Sequence, residues 1–182
     1  FHSAQRWTRS SNAAFQSPFE SGDVLTLDFM GERQTGCFGN FEDSSLKIHT
    51  YSKQPSSTGA FYAAITELIG YKYDSDEWKV MALSGLPCNE RKVSKYIEVF
   101  KESILDRGIA PFLKNQFYCC DQPREKYLTT SELRNELDYP NQNEFKNQSE
   151  DLRHWQINVA TAMQRFISEY TLNAIKRISS EF

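Results

Sequence analysis

The chain has 182 residues, 39% of them hydrophobic and 25% charged, with a formal net charge of −3. That length suits one ordinary domain, and the composition is that of a globular chain rather than a disordered one. The acidic balance and the absence of a long Lys/Arg run argue against a nucleic-acid partner, and no apolar stretch approaches the roughly 20 residues a bilayer needs, so no membrane partner is expected.

Residue 1 is Phe1, with no basic and apolar leader pattern behind it, so upstream sequence is expected to be missing. Cys37, Cys88, Cys119 and Cys120 show no ligand-like CxxC pair and are expected to be reduced thiols in a cytoplasmic protein.

In chain order, Asp23-Val-Leu-Thr-Leu-Asp-Phe29 is rich in strand-favouring residues, Met30-Gly31-Glu32 offers a turn, and Arg33 to Phe41 returns as the second arm of a hairpin. Leu46 to Ser52 alternates apolar and polar residues after the turn at Glu42-Asp43-Ser44, which predicts a three-stranded antiparallel meander. From Gly59 the period changes: Phe61, Ala64, Ile65, Leu68 and Ile69 recur at helical spacing and Gly70 supplies a stop. Asp74-Ser-Asp76-Glu77-Trp78-Lys79 then reads as an acidic loop leading into an apolar strand start at Val80 to Leu83.

Residues 93 to 107 predict an amphipathic helix through Val93, Tyr96, Ile97, Phe100, Ile104 and Leu105, and residues 111 to 148 a polar connection of loops and short helices. The last segment is the clearest helix, with Leu152, Trp155, Val159, Met163, Phe166, Tyr170, Ala174 and Ile178 at intervals of three and four. The fold class expected is α/β: a three-stranded antiparallel meander followed by helices, the opening part of a ribonuclease-H-like, actin-like fold. Strands and first helix occupy about 20–85, a helical and irregular insertion about 86–148, and the long helix about 149–180 of one partial domain, 1–182. A complete unit of this kind would continue into a further strand.

Two places could carry chemistry. Asp28 closes a strand and enters the glycine turn at Gly31 and Glu32; such a carboxylate, beside free backbone amides, can face nucleotide phosphates, or it can be an exposed turn aspartate. Lys79 could reach a phosphate oxygen as a point charge, or lie in a solvated loop. His2, His49 and His154 form no ligand-like set, so no metal site complete within the chain is expected, and His154 reads as a surface or half-buried helix residue. No nucleophile-elbow, Walker or dinucleotide glycine motif is present.

Four ordered blocks resemble one family. Asn12-Ala-Ala-Phe-Gln-Ser-Pro-Phe19, Val24-Leu-Thr-Leu-Asp-Phe-Met-Gly-Glu32, Gly59-Ala-Phe-Tyr-Ala-Ala-Ile-Thr-Glu-Leu-Ile-Gly-Tyr71 and Glu77-Trp-Lys-Val-Met-Ala-Leu83 are similar to the actin-like domain of the nodulation-type O-carbamoyltransferases. The resemblance implies transfer of a carbamoyl group from carbamoyl-adenylate, made from carbamoyl phosphate and ATP in a second domain of the same parent chain. The implied acceptor is a small hydroxylated molecule, a sugar or natural product. It implies Asp28 and Lys79 as catalytic groups and Gly31 and Glu32 on the nucleotide side.

Departures from the family pattern are specific. Where the family has a His-His-x-x-His stretch whose first and last histidines bind a divalent metal, this chain reads Gln5-Arg6-Trp7-Thr8-Arg9. A guanidinium repels the cation an imidazole would hold, so the metal is not carried over. Phe29 stands where the family has a glycine after the aspartate, which would crowd an approaching phosphate. The alternative reading is a non-catalytic actin-like nucleotide-binding module, or another actin-like enzyme.

Overall fold

The three strand-like segments pair as a meander. β1 (Ser21–Gly31), β2 (Gln34–Glu42) and β3 (Ser45–Lys53) form one antiparallel sheet in the order β1-β2-β3. The computed structural model describes residues 4–31, 34–105, 109–110, 112–114, 128–140 and 142–180, the side chains of 4–9, 30, 105, 112–113 and 142–144 excepted. The chain divides into two compact units. The first is Phe1–Ala60 with Asp106–Phe112 and Tyr170–Phe182; the second is Phe61–Leu105 with Leu113–Glu169.

In the first unit, the two-residue period of a strand sends Val24 and Leu25 to opposite faces of the sheet. On one face Val24 and Phe41 meet Ala14 of α1 (Ala4–Phe15), with Leu46 packed beside them. On the other, Leu25 and Phe38 meet Ile109 and Ile178, the latter near the end of α7 (Glu150–Ser179). Both faces of this small sheet are therefore covered. The Cys37 thiol lies on the α1 face, 3.0 Å from Ser10 Oγ and 3.1 Å from Thr26 Oγ1, so this buried polar group is satisfied by hydroxyls.

The second unit is helical. It contains most of α2 (Thr58–Leu68), α3 (Glu77–Ser84), α4 (Glu90–Ser103), α5 (Ser131–Glu136), α6 (Gln142–Asn147) and the first two-thirds of α7. Phe61, Phe100 and Phe166 bring α2, α4 and α7 together, with ring centroids 5.5, 5.6 and 5.8 Å apart, two of the pairs edge-to-face. A second aromatic cluster of Tyr139, Phe145 and Trp155 is pinned by the Trp155 indole N–H, which donates to the Leu137 carbonyl at 2.7 Å. Gly70 ends α2 in the left-handed region, φ +92°, letting the Tyr71 N–H turn back to the Thr66 carbonyl at 3.1 Å.

The structure corrects the sequence reading at three places. Val80 to Leu83, expected as a strand start, belongs to α3, where only Val80 is buried. Glu, Lys, Met, Ala and Leu favour helix, and an eight-residue segment with one buried side chain has no two-sided burial to stabilise a strand. The helix expected over 93–107 runs Glu90–Ser103, and Ile104–Leu105 is a short strand, β4, because Ile104 is extended at φ −111°, ψ 156°. Finally, residues 4–15, to which the sequence pattern assigns no element, form the helix α1. β5 (Phe112–Leu113) pairs with β4, and α5 and α6 supply the short helices expected in the polar connection.

Candidate functional site

The first candidate position is a bulge at the end of β1. The pairing of β1 with β2 runs regularly to Leu27↔Gly36, then resumes at Gly31↔Gln34. Asp28, Phe29 and Met30 thus lie opposite a single β2 residue, and a bulge of this kind takes backbone groups out of the ladder. Ser57 supplies what the ladder does not. Its hydroxyl is 2.7 Å from the Phe29 carbonyl and 3.0 Å from that of Asp28, and the Gln54 amide adds a bond to Phe29 at 3.2 Å.

The same Ser57 oxygen accepts the Ala60 N–H at 3.0 Å, the bond of a helix N-cap, so one buried hydroxyl ties the bulge to the start of α2. Gly59 allows the approach: a Cβ there would stand 2.5 Å from the Phe29 Cα and N. Asp28 is half-buried, and its Oδ1 accepts the N–H of Phe29 at 2.8 Å. Gly31 closes the bulge opposite Gln34, and Glu32 lies outside the described residues.

The second candidate position is Lys79, in the first turn of α3 and in the other unit from Asp28 and Gly31. Its ammonium is 3.0 Å from Asp76 Oδ2 and lies over the rings of Tyr71 at 5.4 Å and Trp78 at 5.5 Å. Asp76 also accepts the Lys72 N–H at 3.2 Å. The hydrogen bond from Lys79, followed by that from Lys72, holds the Asp76 carboxyl below its ordinary range. Lys79 is thus a positioned cation with a side chain 35% exposed. In the same unit Tyr62 donates to Gln164 at 2.9 Å; burial, then the charge of Glu77, push its phenol up to about 12.

Among the described residues no group of three or more His, Cys, Asp or Glu side chains gathers to hold an ion. His49 is engaged with Asn40 at 2.8 Å, His154 is exposed on α7, and the side chains of Gln5 and Arg9 lie outside the described set. Cys37 and Cys88 are free thiols, and Cys119 and Cys120 lie outside the described residues. No step below runs through a metal.

Sequence reasoning missed Ser57, Gln54 and the role of Gly59. Ser57-Thr58-Gly59 ahead of an apolar helical run is an N-cap signal, and could have placed the start of α2 one residue earlier. Nothing in the sequence says that the capping oxygen also serves a strand 28 residues upstream.

An α/β chain with these ordered blocks defines a member of a transferase family, and comparison makes that plain: the family model described as the N-terminus of carbamoyltransferases matches residues 7–181. The chain belongs to the carbamoyltransferase N-terminus family. It is similar to an uncharacterized protein of Synechocystis, sll1178, with 32% identity over 99 residues, covering 54% of this chain and 15% of the relative. A second relative is the uncharacterized protein MJ1051 of Methanocaldococcus jannaschii, 38% identical over 69 residues, covering 38% of this chain and 14% of that protein. The aligned stretches are therefore a small part of either relative's length. Among the described residues, no helix is long and apolar enough to cross a membrane.

Proposed function

We propose that this chain is the N-terminal part of an enzyme that moves a carbamoyl group from carbamoyl-adenylate to a hydroxyl of a sugar or related natural product, on an actin-like fold. The observation that carries this reading is the family match across residues 7–181. Carbamoyl-adenylate supplies an activated carbonyl with AMP as leaving group, made in an adenylate-forming domain of the same parent chain.

In this reading Asp28, Gly31 and Glu32 are the groups assigned to the donor, and Lys79 is assigned as a cation able to meet negative charge developing on a carbonyl oxygen. Two features support the assignment. The bulge fixes the Asp28 backbone through Ser57, so its carboxylate is presented from a held position rather than a loose turn. Lys79 is already paired with a carboxylate at its edge, the geometry of a cation that can trade one oxyanion for another.

A second reading is favoured by a specific observation: Phe29 fills the place of the family's turn glycine, and its backbone is closed against Gly59. A phosphate has less room there. In this second reading the donor phosphate is not seated for transfer, and the chain is a nucleotide-binding module without transfer activity.

Incubating the full-length parent with ATP, carbamoyl phosphate and a panel of hydroxylated acceptors distinguishes the two. Carbamoylated product supports transfer. ATP binding by calorimetry, with no product from any acceptor and no AMP release, selects the module.

A further inference from the structure

A cleft of about 560 Å³ lies wholly within the second unit, apart from Lys79. Cys88, Asn89 and Lys92 line it at the start of α4, and Asp151, His154 and Asn158 of α7 line it opposite. Its volume lies within the roughly 300–1,000 Å³ of small-molecule sites.

Asn158 organises the cleft. It is 4% exposed, and its Oδ1 accepts the Asn89 N–H at 2.8 Å. Asn89 is itself the cap of α4, its oxygen accepting the N–H groups of Arg91 at 3.1 Å and Lys92 at 3.2 Å. Only an acceptor can meet a backbone N–H, so the Asn158 oxygen is committed. The amide nitrogen, with two donor hydrogens, is the part of this buried side chain left to serve the cleft. Around it, Lys92, Asp151 and His154 make no side-chain hydrogen bond or ion pair among the described residues, and all three are exposed.

The mixture of groups selects the ligand class. An inorganic anion at Lys92 would also face the Asp151 carboxylate, and a cation at Asp151 would face the Lys92 ammonium. A hydroxyl both donates and accepts. Neighbouring hydroxyls on one ring can give hydrogens to Asp151 while taking them from Asn158 and Lys92, and His154 can serve either role.

We propose that this cleft binds a neutral, polyhydroxylated small molecule of the sugar class, held by Asp151, Lys92 and the Asn158 amide. The proposal stands on the cleft alone, and does not require that the bound sugar be the carbamoyl acceptor or that Asp28 and Lys79 act in transfer.

Saturation-transfer NMR on the full-length parent protein tests it, with glucose, galactose, mannose and N-acetylglucosamine as probes and inorganic phosphate and putrescine as charged controls. At least one sugar is expected to bind. Asp151→Asn and Lys92→Met, both at exposed positions, should each weaken that binding at least fivefold without moving the melting temperature. Asn158→Asp keeps the acceptor for Asn89 and removes the donor, so it too should weaken binding, whereas Lys47→Met, an exposed position in the first unit, should leave it intact. Absence of binding by every sugar overturns the proposal. So does sugar binding that survives both Asp151→Asn and Lys92→Met, or binding of phosphate or putrescine alone.

Discussion

The hydroxyl of Ser57 stands 2.7 Å from the carbonyl oxygen of Phe29, and through that contact the first strand of the sheet is joined to the first helix after it. The bulge that carries Asp28 is thus stabilised by a residue of the helix start rather than by its own hairpin. Ser57→Ala removes that donor and the Ala60 cap together, taking one hydrogen bond from each of the part-buried Phe29 and Asp28 carbonyls and the cap from the Ala60 N–H. A loss of about 2–4 kcal/mol is expected, above the roughly 1 kcal/mol of a cap alone. Urea denaturation of the variant measures it, and a loss under about 1 kcal/mol would mean the bulge does not depend on Ser57.

Gly59→Ala reverses the usual rule. In an exposed helix interior Ala is better than Gly by about 1 kcal/mol. Here the added Cβ meets the Phe29 backbone at 2.5 Å, where no side chain can move aside. The variant should be less stable than the parent by thermal unfolding; equal or greater stability would show that the α2 start and Phe29 are not in contact.

Acid should weaken one link in the second unit. The Arg165 guanidinium donates to both Glu90 oxygens at 2.6 and 2.9 Å, and this contact first, then the Cys88 thiol, holds the Glu90 carboxyl at about 2. The folded value lies below the ordinary 4.5, so the unfolded chain binds the proton first as pH falls. Stability from this pair is therefore complete above about pH 4.5 and lost on descent towards pH 2. Both side chains are about half exposed or more, so the effect is modest. Carboxyl carbon NMR should show Glu90 titrating near 2 in the native protein and moving up in Arg165→Gln.

The aromatic trio gives a packing test. Phe100 is fully buried between Phe61 and Phe166, so Phe100→Ala leaves a cavity that three helices border. Destabilisation of about 3–5 kcal/mol is expected, read from denaturant midpoints. A loss below about 1 kcal/mol would mean the three rings do not share a core.

The elements that could be read in the sequence are those with a clean period. Val24 and Leu25 are both apolar because the sheet is covered on both faces, and Trp155, Val159, Met163 and Phe166 recur at helical spacing along a buried face of α7, which is buried all round from Ile157 to Met163. Val80 to Leu83 carried no such information, since a four-residue apolar run fits strand and helix equally and only its single buried residue, seen in the structure, decides. The four family blocks marked Asp28, but the bulge around it depends on Ser57 and Gln54, whose distance along the chain hides the contact. Asn158 was equally hidden: it lies within a helical pattern, and its partner Asn89 is 69 residues away.

Carbamoyl transfer by the full-length parent, assayed beside its Asp28→Ala and Lys79→Ala variants, tests the central claim most directly. Circular dichroism should show all three folded, with turnover in each variant reduced at least a hundredfold. Unchanged turnover in both variants would contradict the assignment of these two residues to the reaction.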